Sequence, residues 1–400
     1  MSFHVASAEE IKKAKTTDVY FARTKKILDA KGLSKLRVVA EVTSTNLPRN
    51  WPWAILCGVE ETAKLFEGYP VDVYSMPEGS MFGGYDSRGV REPILWVEGP
   101  FGEFCTLETP MLGLLCQSTG IATMAARMRK LAGNRQLISF GVRRVHPAIC
   151  PMVDRAAYIG GFDGVSSLKG AAFLGEEPVG TMPHALMVMF RNQAEAWKAF
   201  DEVIRKNIPR VALVDTYYDE KIEALMAAEA LGKRLYAVRL DTHGTRRGDF
   251  PAIVREVRWE LNLRGYNHVK IIASGGINDE NIKPLTEAGV DGFGVGTSLT
   301  GAPTFDFAFD IVETEGNPSA AKRGKLSGKK QVWRCPHCLR DTVLPVKDRG
   351  IDCPVCHVKT EPMLKPLVVH GKIAGKLPSP REVRRYVLKQ LEKLQLLDAC

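Results

Sequence analysis

Between residues 137 and 297, short continuous runs of apolar residues alternate with segments whose apolar positions recur at helical spacing. A continuous apolar run is typical of a parallel strand buried on both faces, and helical segments between such strands indicate βαβ units. The runs comprise residues 137–140, 211–214, 235–240, 269–273 and 292–295. The pattern therefore predicts a (β/α) barrel.

Each run is followed by residues that can carry chemistry. In chain order these residues are Gly141-Val142-Arg143-Arg144, Asp215-Thr216-Tyr217, Asp241-Thr242, Ser274-Gly275-Gly276 and Gly296-Thr297. Polar groups at the carboxyl ends of successive strands mark the active face of a barrel, where loops supply reacting groups and strands supply rigidity. We expect these residues to share one face.

Two Cys-x-x-Cys pairs lie near the C-terminus, Cys335 with Cys338 and Cys353 with Cys356. This spacing lets four thiolates close tetrahedrally around one Zn²⁺ and leaves no open position for a catalytic water, so a structural zinc knuckle is expected. The alternative is a set of unliganded thiols or disulfides. The other cysteines are scattered, as expected of reduced thiols in a cytosolic protein; they are Cys57, Cys105, Cys116, Cys150 and Cys400.

The segments that flank the barrel pattern differ from it in composition. Residues 37–102 hold strand-like runs between Gly- and Pro-rich turns, and residues 313–330 resemble a linker or exposed loop because they are rich in Gly, Ser and Lys. We therefore predict an α/β protein with three parts. These are an α+β N-terminal domain at residues 1–118, an irregular (β/α) barrel at 119–305, and a small C-terminal zinc-knuckle module with an amphipathic helix at 306–400.

Composition and charge narrow the class of protein. The chain has 400 residues, 45% hydrophobic and 25% charged, which is ordinary for a globular protein of two or three domains. The net charge of +9 suggests an anionic partner, but part of it lies in the basic stretch 322–330, which could equally be a solvated linker. No stretch is long and apolar enough to span a bilayer, so a cytoplasmic protein without a membrane partner is expected.

Two glycine turns favour a phosphate site. Ser274, Gly275 and Gly276 follow one predicted strand, and the next carries Gly294, Gly296 and Thr297. Backbone amides at such turns form an anion cradle, and the last two strands of a barrel are the usual place for a phosphate. The alternative is that the glycines only permit tight turns. Two turns in successive positions favour phosphate.

Charged residues near these turns suggest a ribose or diphosphate site. Asp215 and Asp241 end neighbouring strands, where a carboxylate could bind ribose hydroxyls or Mg²⁺, or could simply cap the following helix. Arg239, Arg246 and Arg247 flank Asp241 and would suit a diphosphate, or would be solvated loop charges.

A series of motifs along nearly the whole chain resembles the type II phosphoribosyltransferases of pyridine nucleotide synthesis, most closely the archaeal-type, zinc-containing nicotinate phosphoribosyltransferases. The motifs lie at residues 17–24, 107–110, 118–123, 140–144, 180–185, 214–217, 238–241, 274–277 and 294–297. Several are weak singly, and their order makes them specific. The loop at 242–249 lacks the Ser-Gly-Asp of the bacterial and animal enzymes and fits the archaeal pattern better.

The resemblance implies that nicotinate and phosphoribosyl pyrophosphate give nicotinate mononucleotide and pyrophosphate, with Mg²⁺ and usually with ATP hydrolysis, in a homodimer or larger homo-oligomer. The implied catalytic residues are His184, Asp241 and Arg239, with His184 transiently phosphorylated; the alternative for His184 is a hydrogen-bonded structural imidazole. The implied substrate-binding residues are Tyr20, Arg23, Phe140, Arg143, Arg144, Ser166 and Asp215. Tyr20 and Phe140 would sandwich the pyridine ring, with Tyr20 from a neighbouring subunit.

The choice of pyridine depends on Ser166. The related nicotinamide enzyme has an aspartate in the matching stretch, and a serine can donate to a carboxylate that an aspartate would repel. Nicotinate is therefore expected over nicotinamide or quinolinate, unless Ser166 is only a small residue at a strand end. A zinc-containing, tRNA-acting barrel enzyme is a further alternative, but the basic stretch lacks the interleaved aromatic residues typical of nucleic-acid binding.

Overall fold

The computed structural model describes residues 3–44, 46–318 and 321–398, with side chains in the last helix described to residue 394. Cys400, one of the scattered thiols, lies outside the described residues, as do positions 319 and 320 of the predicted linker. The chain forms two compact units: the first contains the residues up to Thr123 and from Pro303 onward, and the second runs from Met124 to Ala302. Within the described residues, no helix is long and apolar enough to cross a membrane.

The first unit begins with a mixed α and β segment. Its elements are α1 (Ala8–Lys12), α2 (Val19–Ala30), β1 (Arg37–Ser44), β2 (Ala54–Ile55), α3 (Val59–Phe66), β3 (Asp72–Ser75), β4 (Met81–Phe82), β5 (Pro93–Pro100), α4 (Phe101–Phe104) and α5 (Glu108–Ala132), of which α5 continues into the second unit. Gly58 must be glycine, because its φ is 93° and a Cβ there would lie 2.3 Å from the carbonyl oxygen of Leu114.

The second unit alternates strands and helices. Its elements are β6 (Gln136–Ser139), α6 (Cys150–Ile159), β7 (Gly164–Val165), α7 (Leu168–Leu174), α8 (His184–Phe190), α9 (Gln193–Val203), β8 (Arg210–Leu213), α10 (Glu220–Leu231), β9 (Leu235–Leu240), α11 (Phe250–Leu263), β10 (Lys270–Ala273), α12 (Ile282–Glu287), β11 (Gly292–Val295) and α13 (Thr297–Thr300). All five predicted apolar runs are strands here, and the two-residue β7 is a sixth.

These six strands form one parallel sheet in the order β7-β6-β11-β10-β9-β8. Among the described residues, the edge strands β7 and β8 do not pair with each other, so the sheet is a curled half-barrel, whereas the sequence predicted an irregular (β/α) barrel. The physical reason is that β7 pairs through only two residues and no strand lies between it and β8 along the chain. Closure requires more strands with matching tilt and stagger.

The chain then returns to the first unit. The remaining elements are β12 (Phe307–Thr314), β13 (Lys330–Arg334), β14 (Asp341–Pro345), β15 (Glu361–Pro362), β16 (Lys365–Val369), β17 (Lys372–Ile373) and α14 (Pro380–Asp398). A six-stranded sheet has the order β12-β1-β5-β3-β16-β17. The sequence placed residues 306–400 in a part of their own, whereas β12 and β16 pair directly with β1 and β3, which groups this segment with the N-terminal residues.

The basic stretch at 322–330 is tied to this sheet by ion pairs. Lys325 Nζ lies 2.8 Å from a carboxylate oxygen of Asp310 on β12, and Lys330 Nζ lies 2.9 Å from Glu41 on β1. Lys329 contacts Glu98 on β5. Both side chains of the Lys330–Glu41 pair are buried, at 7% and 4% exposure. These lysines are therefore part of the folded unit rather than the free linker that the composition suggested.

Candidate active site

A histidine and an aspartate form a pair at the carboxyl edge of the half-barrel. His184 is the first residue of α8, and its Nε2 lies 2.9 Å from Oδ1 of Asp215, which follows β8. The hydrogen bond to Asp215 raises the pKa of His184 above its ordinary value of 6.5, and partial burial opposes this shift. The imidazole is 43% exposed while the carboxylate is 3% exposed, so the ring is anchored on one side and open on the other.

The second oxygen of Asp215 is also occupied. Oδ2 accepts a hydrogen bond from the amide of Asp241 at 2.8 Å, and the hydroxyl of Thr242 lies 3.1 Å away. Protein donors therefore engage both oxygens, so that Asp215 orients His184 and joins the ends of β8 and β9. A ribose or Mg²⁺ contact of Asp215 stays a prediction.

Neither strand-end aspartate caps a helix. Asp219 accepts from the amide of Ile222 at the start of α10, at 2.8 Å, and Asp249 accepts from the amide of Ala252 at the start of α11, at 3.1 Å. The alternative interpretation of Asp215 and Asp241 as helix caps is therefore wrong.

Arg239, Asp241 and Ser274 form a compact polar cluster. Arg239 Nη1 donates to Ser274 Oγ at 3.1 Å and lies 3.2 Å from Asp241 Oδ2, while Nη2 donates to the carbonyl of Met182 at 2.9 Å. Ser274 Oγ in turn donates to Asp241 Oδ1 at 2.7 Å. Arg239 is buried at 9% exposure and Asp241 is 27% exposed, so the carboxylate is the partner that a ligand can reach.

The glycine turn after β10 has the backbone of an anion cradle. Gly275 and Gly276 have φ values of 77° and 74°, and a Cβ at Gly275 would lie 2.8 Å from the carbonyl oxygen of Asp241. Among the described residues, none accepts a hydrogen bond from either amide. Two adjacent amides without an internal acceptor, beside a partly exposed cluster, can bind an oxyanion.

The three arginines near Asp241 have different surroundings. Arg239 is buried in the polar cluster, whereas Arg247 donates from Nη1 to the carbonyls of Thr242 at 3.1 Å and Gly275 at 2.7 Å. Burial lowers the pKa of Arg247, and its guanidinium carbon lies 4.0 Å from the ring centroid of Phe250. Arg246 is exposed. Arg247 thus fixes the glycine turn against the loop after β9.

Phe140 explains the glycine at position 294. A Cβ at Gly294 would lie 2.3 Å from two carbons of the Phe140 ring and 3.2 Å from Cβ of Ser274. The guanidinium carbon of Arg239 lies 6.0 Å from the centroid of the same ring. Gly294 therefore makes room for an aromatic ring, and the phosphate contact that the motif suggested stays a prediction.

The remaining predicted residues lie in several places. Arg143 and Arg144 are exposed in a single 3₁₀ turn (Val142–Arg144), Ser166 is partly exposed directly after β7, and Gly296 and Thr297 follow β11. Tyr20 and Arg23 lie on α2 of the first unit, where the Tyr20 side chain is 55% exposed.

Three positioning groups were not predicted from the sequence. Ser298 directly follows Thr297, so closeness to a predicted residue was the available signal; Ser298 donates to the carbonyl of Ile277 and so links the two glycine turns. The carbonyl of Met182 carries no side-chain signal. Glu223, fully buried on α10, accepts from the amides of residues 216, 217 and 218, and its sequence position is that of an ordinary first-turn acid.

The Cys-x-x-Cys pairs converge in the first unit. The sulfur atoms of Cys335, Cys338, Cys353 and Cys356 all lie within 4.8 Å of one another, and the sulfur of Cys338 lies 3.7 Å from that of Cys353. A regular tetrahedron with Zn–S bonds of about 2.3 Å has sulfur–sulfur edges of about 3.8 Å. The cluster therefore has the chemistry and dimensions of a tetrathiolate metal site.

Replacing Gly294 by Ala should displace the Phe140 ring and destabilise the protein by about 1–3 kcal/mol, the usual cost of overpacking. Urea unfolding measures this free energy. In a Phe140→Ala background the same substitution should cost much less, because the atoms that the new Cβ meets are gone. An equal cost in both backgrounds would contradict the contact.

Comparison with known proteins places the chain in a family. Residues 18–119 match the N-terminal domain, and residues 121–310 the C-terminal domain, of quinolinate phosphoribosyl transferase. The nicotinate phosphoribosyltransferase pncB2 of Mycobacterium tuberculosis is 31% identical over 344 residues, covering 81% of this chain and 69% of that protein. The nicotinate phosphoribosyltransferase pncB1 of the same organism is 34% identical over 253 residues, which cover 60% of this chain and 55% of that protein.

Two solved structures extend this likeness to the fold. The nicotinate-nucleotide pyrophosphorylase of Pyrococcus furiosus is 54% identical, covers 99% of both chains and has a TM-score of 0.95. Human nicotinic acid phosphoribosyltransferase is 21% identical over 94% of this chain and 93% of the human one, with a TM-score of 0.77, so it supports the fold alone. From the domain matches and the mycobacterial relatives, the chain belongs to the nicotinate and quinolinate phosphoribosyltransferase family.

Proposed function

We propose that this protein transfers the phosphoribosyl group of phosphoribosyl pyrophosphate to nicotinate, forming nicotinate mononucleotide and pyrophosphate for NAD synthesis. The observation that carries the proposal is the pair of unengaged amides at Gly275 and Gly276 beside the Arg239–Asp241–Ser274 cluster. An anion cradle next to a reachable carboxylate suits a ligand that joins a phosphate to a sugar.

The chemistry of the transfer fits these groups. The pyridine nitrogen forms a bond to the anomeric carbon while the bond from that carbon to the pyrophosphate oxygen breaks, so the sugar gains positive charge and the leaving group negative charge. Asp241 would stabilise the sugar, and the arginines and glycine amides would stabilise the phosphates. Mg²⁺ would accompany the pyrophosphate, held largely by its oxygens, with Asp241 as the exposed protein carboxylate of the cluster.

The pyridine side of the proposal rests on Phe140 and on hydrogen-bond donors. The Phe140 ring is held over Gly294, and Ser166, Arg143 and Arg144 offer donors that suit the carboxylate of nicotinate. No ion pair occupies Arg143 or Arg144 among the described side chains. The relatives named nicotinate phosphoribosyltransferase support the same substrate, and nicotinamide and quinolinate are the alternatives.

ATP coupling is proposed through His184. A carboxylate at Nε2 favours the tautomer with its proton there, which leaves the Nδ1 lone pair to attack the γ-phosphate of ATP. The N–P bond would form as the bond from phosphorus to the ADP oxygen breaks, and later hydrolysis would return the imidazole. The half-exposed ring supports this role over a purely structural imidazole.

We further propose that the protein acts in the cytoplasm as a homodimer or larger homo-oligomer. The exposed Tyr20 would reach the pyridine site of a neighbouring subunit, with Arg23 one turn further along the same helix. A tRNA-acting enzyme is less well supported, because lysines 325, 329 and 330 of the basic stretch are paired with acidic residues.

The first test is an assay with phosphoribosyl pyrophosphate, Mg²⁺ and either nicotinate, nicotinamide or quinolinate, with and without ATP. Mononucleotide and ADP are quantified by chromatography. We expect product from nicotinate and a faster reaction with ATP. Product from another pyridine alone would keep the phosphoribosyl site and refute the substrate, while no product from any of the three would refute the proposed function.

His184→Ala should abolish ATP stimulation and leave a basal transfer, because the phosphate acceptor is removed while the Asp241 cluster stays. His268→Ala, at an exposed position, is the matched control. In the wild type, ATP stimulation should fall as the pH drops through the raised pKa of His184, since protonation of Nδ1 removes its lone pair. Undiminished ADP formation in His184→Ala would rule out the role.

The cysteine cluster is proposed to hold one structural Zn²⁺. Cys353→Ser should reduce bound zinc, measured by mass spectrometry, and lower the midpoint of thermal unfolding, with kcat at saturating substrate unchanged in the protein that remains folded. Cys116→Ser, outside the cluster, should keep the metal. A changed kcat in folded Cys353→Ser protein would argue against a purely structural role.

A further inference from the structure

A buried carboxylate contacts the immediate neighbours of two residues that are proposed to bind the pyridine. Asp154, on α6, has no exposed surface. One of its oxygens accepts a hydrogen bond from Ser139 Oγ at 2.9 Å, and the other accepts from Ser167 Oγ. A buried carboxylate with two hydroxyl donors is satisfied only while both donors keep their places.

These two serines are the direct neighbours of the proposed pyridine residues. Ser139 ends β6 and precedes Phe140, and Ser167 follows Ser166 and caps α7, where its Oγ accepts from the amide of Gly170 at 3.0 Å. Asp154 therefore contacts both chain segments that would present the pyridine-binding side chains.

Backbone pairing between these two segments is short. Strand β7 pairs with β6 through two residues. Two backbone hydrogen bonds flank this pairing, from the amide of Asp163 to the carbonyl of Leu137 at 2.8 Å and from the amide of Ser166 to the carbonyl of Ser139 at 3.2 Å. Gly170 leaves space for the carboxylate, because a Cβ there would lie 2.3 Å from Asp154 Oδ2. The side-chain bridge is thus closely fitted beside a short strand pairing at the edge of the sheet.

We infer that Asp154 is a positioning residue that sets the separation of Phe140 and Ser166 and thereby the affinity and selectivity for the pyridine. This inference rests on the proposed function and goes beyond it by naming a group that does not touch the substrate. Asp154 has no contact with the Arg239–Asp241–Ser274 cluster among its hydrogen bonds, so the phosphoribosyl side should be insensitive to it.

Asp154→Asn tests the inference because it keeps the size of the side chain and leaves a single oxygen acceptor for two hydroxyls. We expect the KM for nicotinate to rise roughly tenfold, the scale of one disrupted buried hydrogen bond, while the KM for phosphoribosyl pyrophosphate changes less than about twofold. Ser167→Ala, which removes one donor, should give a smaller rise of the same kind. Ser167→Ala also tests the inference if Asp154→Asn does not fold.

Asp201→Asn is the matched control, because Asp201 is also buried on a helix of this unit but pairs with Arg210 at 2.8 Å. It should lower the unfolding temperature without a selective change in either KM. The inference would be overturned if both KM values changed equally, or neither changed, in folded Asp154→Asn and Ser167→Ala proteins. In that case, activity of the wild type with nicotinate would still uphold the proposed function. A wild type inactive with nicotinate would overturn both.

Discussion

The carboxylate of Asp215 connects the groups on which the site depends. Through Oδ1 it holds His184 at the start of α8, and through Oδ2 it accepts the amide of Asp241 at the end of β9. A carboxylate at 3% exposure needs such donors, because an unsatisfied buried charge is costly. The backbone that carries it is fixed in turn by Glu223, which accepts the three amides that follow Asp215. The position of the histidine and that of the Asp241 cluster are therefore coupled.

The other charges are arranged before any ligand binds. Arg239 is held by Asp241, Ser274 and the Met182 carbonyl, and Arg247 by two carbonyls of neighbouring loops. Groups fixed in this way need little reorganisation when charge develops on a sugar or a leaving group. Rigidity of this kind suits a half-barrel, in which strand ends are anchored by their neighbours although β7 and β8 do not pair with each other among the described residues.

The sequence was informative where a pattern is local. Continuous apolar runs located the strands. Because the carboxyl ends of parallel strands lie at the same edge of a sheet, the residues that follow the strands could be expected to lie close together. Closure of the sheet depended on pairing between distant segments, which no local pattern encodes. The occupation of Asp215 by protein donors and the fit of Phe140 over Gly294 also depend on tertiary distances. For the same reason Asp219 and Asp249, rather than the strand-end aspartates, proved to be the helix caps.

The lysine-rich stretch shows most clearly that tertiary contacts decide what a charged composition means. A net charge of +9 with a lysine-rich stretch could indicate a nucleic-acid surface. In the folded first unit, however, lysines 325, 329 and 330 pair with acidic residues of β12, β5 and β1. Pairing with acidic side chains neutralises the field of these lysines, and each lysine fixes the chain that leads to β13 and the cysteine cluster. The basic stretch thus anchors the segment that carries the cysteine cluster, which leaves the cations at the edge of the half-barrel as the better candidates for binding an anionic substrate.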